Sequence, residues 1–198
     1  MDMRYETERL VLEILPDTKA AQTLQFYLYN RELFEEYEPE HTEDFYTETC
    51  QRDMLRCEYN MAVNATLYRF WVYVKGQMDQ VVGTVSLQNV RWGAFLSCEL
   101  GYKFDQRFWG KGYAREGISK CLWIAFQELG LHRVEAQVLK GNLHSKRLLY
   151  RLGFEPEGVR KQNVKIHGEW RDHELYALLS GQGATHPGSG TSSQIPQC

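Results

Sequence analysis

The sequence predicts an α/β fold, one domain built on a mixed sheet, and three observations carry that reading. Short runs of alternating apolar residues, such as 69–74 and 133–139, are separated by longer stretches whose apolar residues recur at helical spacing. Read in order they give β-α-α-β-β-β-α-β-α-β-β, strands interleaved with helices rather than segregated from them. The chain is 198 residues long, 43% apolar and 25% charged, which suits a single soluble globule that buries about 70% of its unfolded surface.

The elements follow from local chemistry. Residues 9–15 alternate as a first strand, stopped by Pro16. Asp17 caps a helix whose apolar positions are Ala21, Leu24, Leu28 and Phe34. Residues 48–59 form a second helical stretch. Residues 69–74 and 81–87, joined through 76–79, read as a β-hairpin. After a turn at Gly93 comes a strand over 99–104, then a long helix over 113–129. That helix carries Ala114, Ile118, Cys121, Leu122, Ala125 and Leu129 on one stripe and stops at Gly130. A strand over 133–139, a short helix over 145–152 ended by Gly153, and two strands over 163–166 and 174–179 around His167-Gly168 complete the domain, 1–180. Residues 181–198 are rich in Gly, Ser, Thr, Pro and Gln, a composition that buries no core, and are expected to be disordered. There is no internal repeat.

Charge and cysteine usage exclude several classes of function. A net charge of −3 argues against generic nucleic-acid binding and against a polybasic membrane anchor. No apolar run approaches membrane-spanning length, and the first residues lack a signal-peptide core. The cysteines (Cys50, Cys57, Cys98, Cys121, Cys198) are odd in number with no Cys-x-x-Cys pair, which predicts reduced thiols and a cytoplasmic setting. The histidines show no metal-ligand spacing, so no metal is expected.

Chemistry concentrates at Gln106-Arg-Phe-Trp-Gly-Lys-Gly112, between the 99–104 strand and the long helix. A glycine-spaced loop there gathers unpaired amides and the positive end of a helix dipole around one point, a setting suited to a pyrophosphate. Neither common phosphate motif fits. A dinucleotide fingerprint begun at Gly110 and Gly112 meets Arg115, and a nucleoside-triphosphate loop would need glycine at Asp105 and Ser or Thr at Gly112. What remains is Arg107-x-x-Gly110-x-Gly112. The 133–139 strand is followed in turn by Gly141-Asn-Leu-His-Ser-Lys-Arg-Leu-Leu-Tyr-Arg-Leu-Gly-Phe154.

Together these two ordered motifs resemble the acyl-CoA signature and the second cofactor motif of the GNAT acetyltransferases. Further stretches, around Asn30-Arg-Glu-Leu-Phe34, 92–102, 157–158 and 165–178, resemble the RimJ/RimL branch, which acetylates ribosomal-protein alanine N-termini. The likeness covers roughly residues 7–180. It implies the GNAT fold, a mixed and mostly antiparallel sheet with splayed central strands flanked by helices. It also implies acetyl-CoA as cosubstrate, transfer to a primary amine by direct attack on the thioester, and a monomer or homodimer.

The resemblance assigns the cofactor to Arg107, Phe108, Trp109, Gly110, Lys111 and Gly112 in the loop, Tyr113 and Ala114 at the helix start, the 102–104 backbone (Tyr102, Lys103, Phe104), and Asn142 and Ser145. An amide at Tyr102 or Lys103 would hold the oxyanion. Glu99 is the first candidate for the base and Glu135 the weaker one, each with ordinary ion pairing as its plain alternative. Many family members place a tyrosine seven positions after the motif asparagine to protonate the thiolate. Here that position is Leu149, with Tyr150 one residue later, so Ser145 becomes the candidate donor to sulfur, although a helical serine is often only a packing residue. Trp170 and Asp172 would shape the acceptor end, or form a turn and a salt bridge. His132 and Arg133 would cap the long helix electrostatically, and Cys98 is expected to be a buried thiol rather than an acyl carrier.

The acceptor stays open between classes. A protein α-amine, with a pKa of about 7.7–8.0, is roughly a tenth neutral at pH 7 and needs only a modest base, whereas a lysine near about 10.4 is almost wholly charged. An acidic stretch (Glu32, Glu35, Glu36, Glu38, Glu40, Glu43, Asp44, Glu48) contains no Lys or Arg. It reads either as a solvated face or as a rim attracting a small cationic amine such as a polyamine or aminoglycoside. The third alternative is a module that binds CoA without turnover.

Overall fold

The computed structural model describes residues 1–181. One eight-stranded sheet in the order β1-β2-β3-β4-β5-β6-β8-β7 runs through it. The strands are β1 (Arg4–Glu6), β2 (Leu10–Glu13), β3 (Tyr68–Val74), β4 (Gly83–Arg91), β5 (Ser97–Phe104), β6 (Arg133–Leu139), β7 (Glu155–Ile166) and β8 (Glu169–Leu179). The helices are α1 (Ala20–Tyr29), α2 (Arg31–Glu35), α3 (Glu48–Val63), α4 (Tyr113–Trp123) and α5 (Leu143–Arg151). Every neighbouring pair is antiparallel except β5 with β6.

Strand alternation sorts the core into two layers. Phe70 and Val72 of β3, Cys98, Leu100 and Phe104 of β5, and Val134, Ala136 and Val138 of β6 meet Ile118, Cys121 and Leu122 of α4 and Leu149 of α5. Trp71 and Tyr73, from the other face of β3, pack with Phe26 and Tyr27 of α1, Phe34 of α2 and Leu55 of α3. β3 is therefore buried on both faces, and each such large side chain contributes about 1.5–3 kcal/mol.

The parallel pairing decides where a ligand can go. β5 and β6 are matched at Ser97–Arg133, Cys98–Val134, Glu99–Glu135 and Leu100–Ala136, and there the ladder ends. Residues 101–104 continue beside β4 alone, while 137–139 continue beside β8. The splayed central strands that the resemblance implied are present.

Several elements differ from expectation. α1 buries Ala20, Thr23, Phe26 and Tyr27, whereas Ala21 is exposed, Leu24 is only partly covered and Leu28 is 43% exposed. The aromatic pair sets the helix's rotation, because Phe26 and Tyr27 both reach the Trp71 ring edge-on at 5.9 Å. The long helix ends as α helix at Trp123 and continues as one wide turn over Ile124–Glu128, with the Leu129 amide reaching the Ile124 carbonyl. β1 is only three residues long, too short for alternation to reveal. β7 begins eight residues before the predicted strand. Those residues are exposed and polar on an edge, so no apolar pattern marks them. The predicted disordered tail lies, beyond Gly181, outside the described residues.

Candidate active site

The loop before α4 is held from two sides. Asp105, almost fully buried, accepts the Arg107 amide at 2.9 Å and grips the Arg107 guanidinium through both oxygens. Burial alone would raise its carboxyl, but Arg107 outweighs that and holds it below the usual carboxylate range. The Phe108 and Trp109 amides close onto the carbonyls of Asp105 and Gln106. The amides of residues 107–109 are thus spent inside a tight turn, and the expected cradle shortens to the segment after them. Among the described residues, the amides of Gly110, Lys111 and Gly112 take no intramolecular partner. Gly110 and Gly112 both have left-handed backbones (φ 75° and 82°), and Gly112 enters α4 without a side-chain cap, so the first-turn amides of Tyr113 and Ala114 also point outward.

Arg9 and Glu116, which the motif reading missed, fix this segment. Glu116 accepts from the Arg9 amide at 2.9 Å, from Arg9 Nε at 2.7 Å and from the Thr7 hydroxyl at 2.6 Å. Burial opposes its ionisation, and these donors more than compensate, leaving its carboxyl below its ordinary range. Arg9 then donates Nη1 to the Lys111 carbonyl at 2.9 Å and lies 5.0 Å over the Tyr113 ring. A side chain at position 112 would come within 3.3 Å of Arg9 Nη2. The signal was available in the sequence only as an arginine at a strand start, too common to single out.

The open edge of β5 faces the same loop. The Asp105 amide bonds the Val82 carbonyl on the β4 side, while the Phe104 carbonyl points away and accepts Trp109 Nε1 at 2.9 Å. Alternation then directs the Tyr102 amide to the cleft and the Lys103 amide to β4, opposite Thr84. Lys103 spends its side chain elsewhere, on Glu38 at 2.5 Å beneath the Tyr27 and Phe34 rings. The Phe104 ring is core. Trp109, 46% exposed, lies 5.7 Å from the His144 ring of α5 and spans the mouth between loop and helix.

On α5, Asn142 caps the helix by accepting the Ser145 amide at 3.0 Å. Leu149, at the position of the usual tyrosine, is fully buried. Tyr150 is 55% exposed and packs edge-on against Tyr176, outside the cleft. Ser145 and Glu99 lie on opposite faces of the sheet at the split. Ser145 contacts Tyr102 on the α4–α5 face, whereas Glu99 shares the α1–α3 face with Lys103 and accepts Gln137 Nε2 at 3.2 Å. Gln137 in turn accepts Asn163 Nδ2 at 2.7 Å, so a three-member chain runs from β7 to Glu99. Glu99 is partly buried and, among the described residues, has no cationic partner.

The remaining candidates are placed differently. Glu135 is paired with Arg133 at 2.8 Å and Arg91 at 3.5 Å. Asp172 accepts the Gln162 amide at 2.9 Å, where β7 is irregular. Trp170 is 60% exposed at the hairpin end, beside a cavity of about 310 Å³. Arg133 spends its guanidinium on Glu135 and Glu157, and the His132 ring meets the Ser180 hydroxyl at 3.3 Å, so among the described residues neither side chain bonds the end of the long helix. Burial pushes the Cys98 thiol up to about 12, which leaves it protonated and unreactive. The acidic stretch is partly paired: Glu35 and Glu43 share Arg31, Glu38 pairs with Lys103, Glu48 with Arg52, and Glu40 meets His167, while Glu32, Glu36 and Asp44 have no ion-pair partner among the described residues. A cavity of about 620 Å³ along α3 is lined by none of the cleft residues. Among the described residues no cluster of His, Cys, Asp or Glu suits a metal ion, and no helix is long and apolar enough to cross a membrane.

A glycine-spaced amide cradle beside a split parallel pair is the geometry that the sequence motifs implied. The family model for the acetyltransferase (GNAT) domain matches residues 9–155.

The chain belongs to the GNAT acetyltransferases.

Within that family it is 36% identical over 163 residues to a probable N-acetyltransferase, YjcK of Bacillus subtilis, covering 82% of this chain and 90% of the relative. It is 30% identical over 178 residues to the ribosomal protein uS5-alanine N-acetyltransferase of Escherichia coli, covering 90% and 91%. Mycobacterium smegmatis RimJ, solved in complex with a CoA-disulfide, superposes with a TM-score of 0.81 at 26% identity, over 86% of this chain and 82% of that one. The GNAT fold, N-acetyltransferase chemistry and membership near RimJ follow for this chain.

Proposed function

We propose that this GNAT enzyme transfers the acetyl group of acetyl-CoA to a protein N-terminal α-amine, in the manner of a ribosomal-protein-alanine acetyltransferase. One observation carries the reading: Glu99, a partly buried carboxylate without a cationic partner among the described residues, stands at the strand split, on the face opposite the amide cradle. The similarity to the uS5-alanine enzyme supports the same acceptor class.

In this reading the domain is 1–180. The amides of residues 110–114 hold the pyrophosphate, and Asn142, its Oδ1 engaged in the helix cap, offers Nδ2 to the pantetheine arm. The cleft-facing Tyr102 amide donates to the oxyanion formed as the amine attacks. Glu99, oriented by Gln137 and Asn163, takes the amine proton directly or through one water. Ser145 donates a hydrogen bond to the departing sulfur.

A small cationic acceptor is less well supported, because four carboxylates of the acidic stretch, Glu35, Glu38, Glu43 and Glu48, already hold cations of the chain itself. The reading includes a cytoplasmic setting, in keeping with free thiols at Cys50, Cys57, Cys98 and Cys121, and a monomer or homodimer. The test is free-thiol release from acetyl-CoA with two panels, alanine-terminal peptides and polyamines or aminoglycosides. Turnover confined to peptides is expected; turnover confined to polyamines would overturn the acceptor class.

A further inference from the structure

We propose that Tyr102 is a positioning residue for the leaving group: its phenol holds the Ser145 hydroxyl so that the one hydrogen left over points at the sulfur. This rests on the reading that the cleft takes the pantetheine arm and that Ser145 meets the thiolate.

The argument is a count of hydrogens. Tyr102 Oη and Ser145 Oγ are 2.5 Å apart and are joined by one hydrogen bond. Two hydroxyls carry two hydrogens; one is used between them, and one must find another acceptor. Among the described residues, the only other acceptor in reach is the Ser145 carbonyl, 3.5 Å from Oη, at the outer limit of hydrogen bonding. The usual escape for a helical serine, back-bonding to the carbonyl four residues earlier, would need Gly141, which lies outside α5. Ser145 Oγ has no other protein partner among the described residues, so the pair is left with a free O–H donor.

Its location fits a sulfur. Tyr102 lies two residues beyond the last matched pair of β5 and β6, on the face carrying α5. The Tyr102 phenol stays protonated because burial pushes it up to about 12, so it keeps a hydrogen that it can donate to Ser145 at any ordinary pH. When the carbon–sulfur bond breaks, both electrons go to sulfur; the Ser145 hydrogen bond carries that charge until the thiolate departs or takes a proton from water. The chain thereby replaces the missing α5 tyrosine with a strand tyrosine acting through a helix serine.

The test compares Tyr102→Phe, Ser145→Ala and the double variant for kcat, KM and acetyl-CoA affinity. Each single variant should lower kcat on the order of ten-fold with acetyl-CoA affinity within about two-fold. The double variant should be no slower than the slower single one, because both remove the same donor. Independent, multiplicative losses, or a Tyr102→Phe enzyme with wild-type kcat, would overturn the proposal. Wild-type protein that fails to bind acetyl-CoA would instead bring down the cofactor reading, and this inference with it. Should Tyr102→Phe fail to fold, a fluorinated tyrosine at 102 keeps the shape with a more acidic phenol. The alkaline limb of kcat should then move to lower pH, and an unmoved limb would contradict the role.

Discussion

At the scale of single residues, the two carboxylates of the split, Glu99 and Glu135, show how partners decide roles. Both lie on the same face of paired strands, yet Glu135 is held by Arg133 and Arg91, while among the described residues Glu99 has only the Gln137 amide. Glu99→Gln keeps that hydrogen-bond chain but cannot accept a proton. We expect kcat/KM to fall roughly 10²-fold at and below neutral pH, with a smaller loss above pH 8 where more of the α-amine is already neutral. A pH–rate profile parallel to wild type would remove Glu99 as base. Asp105 makes the second case. Its carboxyl is held below the usual range, so the stability it contributes is full at neutral pH and is lost as pH falls through the carboxylate range. Arg107→Met should cost about 1–3 kcal/mol in a denaturant melt at pH 7, by leaving a buried carboxylate poorly paired. The gap to wild type should narrow on acidification, and a pH-independent gap would contradict the assignment.

At the scale of elements, the loop and α4 are set by contacts from the far end of the chain. Arg9 joins the start of β2 to Glu116 and to the Lys111 carbonyl, so it holds the cradle's shape without touching its amides. Arg9→Ala should weaken acetyl-CoA binding several-fold and cost about 1 kcal/mol in stability, a charged network on a partly exposed surface. Unchanged affinity by calorimetry would show that the cradle stands without the latch. Such contacts mark the limit of sequence reading. Gly110, Gly112 and Asn142 are legible because backbone geometry demands those residue types in that order. Arg9–Glu116 and Tyr102–Ser145 join positions 107 and 43 apart, and no local pattern announces them. The rotation of α1 was misjudged for a related reason: Leu24 and Leu28 match a helical stripe, but Phe26 and Tyr27 have more surface to bury against Trp71.

At the scale of the whole molecule, the sheet works as a partition. β5 and β6 stay paired through Leu100 and Ala136 and then diverge, so the cradle and Ser145 lie toward one face and Glu99 toward the other. The interleaving of strands and helices along the chain could be read from hydrophobic pattern; their order in the sheet could not, and the split was expected only through the family likeness. That the proposed base and the proposed sulfur donor flank the opening from opposite sides needed the register and the side-chain directions. The central claim is that the amides before α4 grip acetyl-CoA and place its thioester in that opening. Calorimetric titration of acetyl-CoA into the wild type and Gly110→Asp tests it most directly. The account predicts one saturable site in the wild type and its loss when a carboxylate faces the pyrophosphate. Equal affinity in both proteins, or no binding in either, would contradict it.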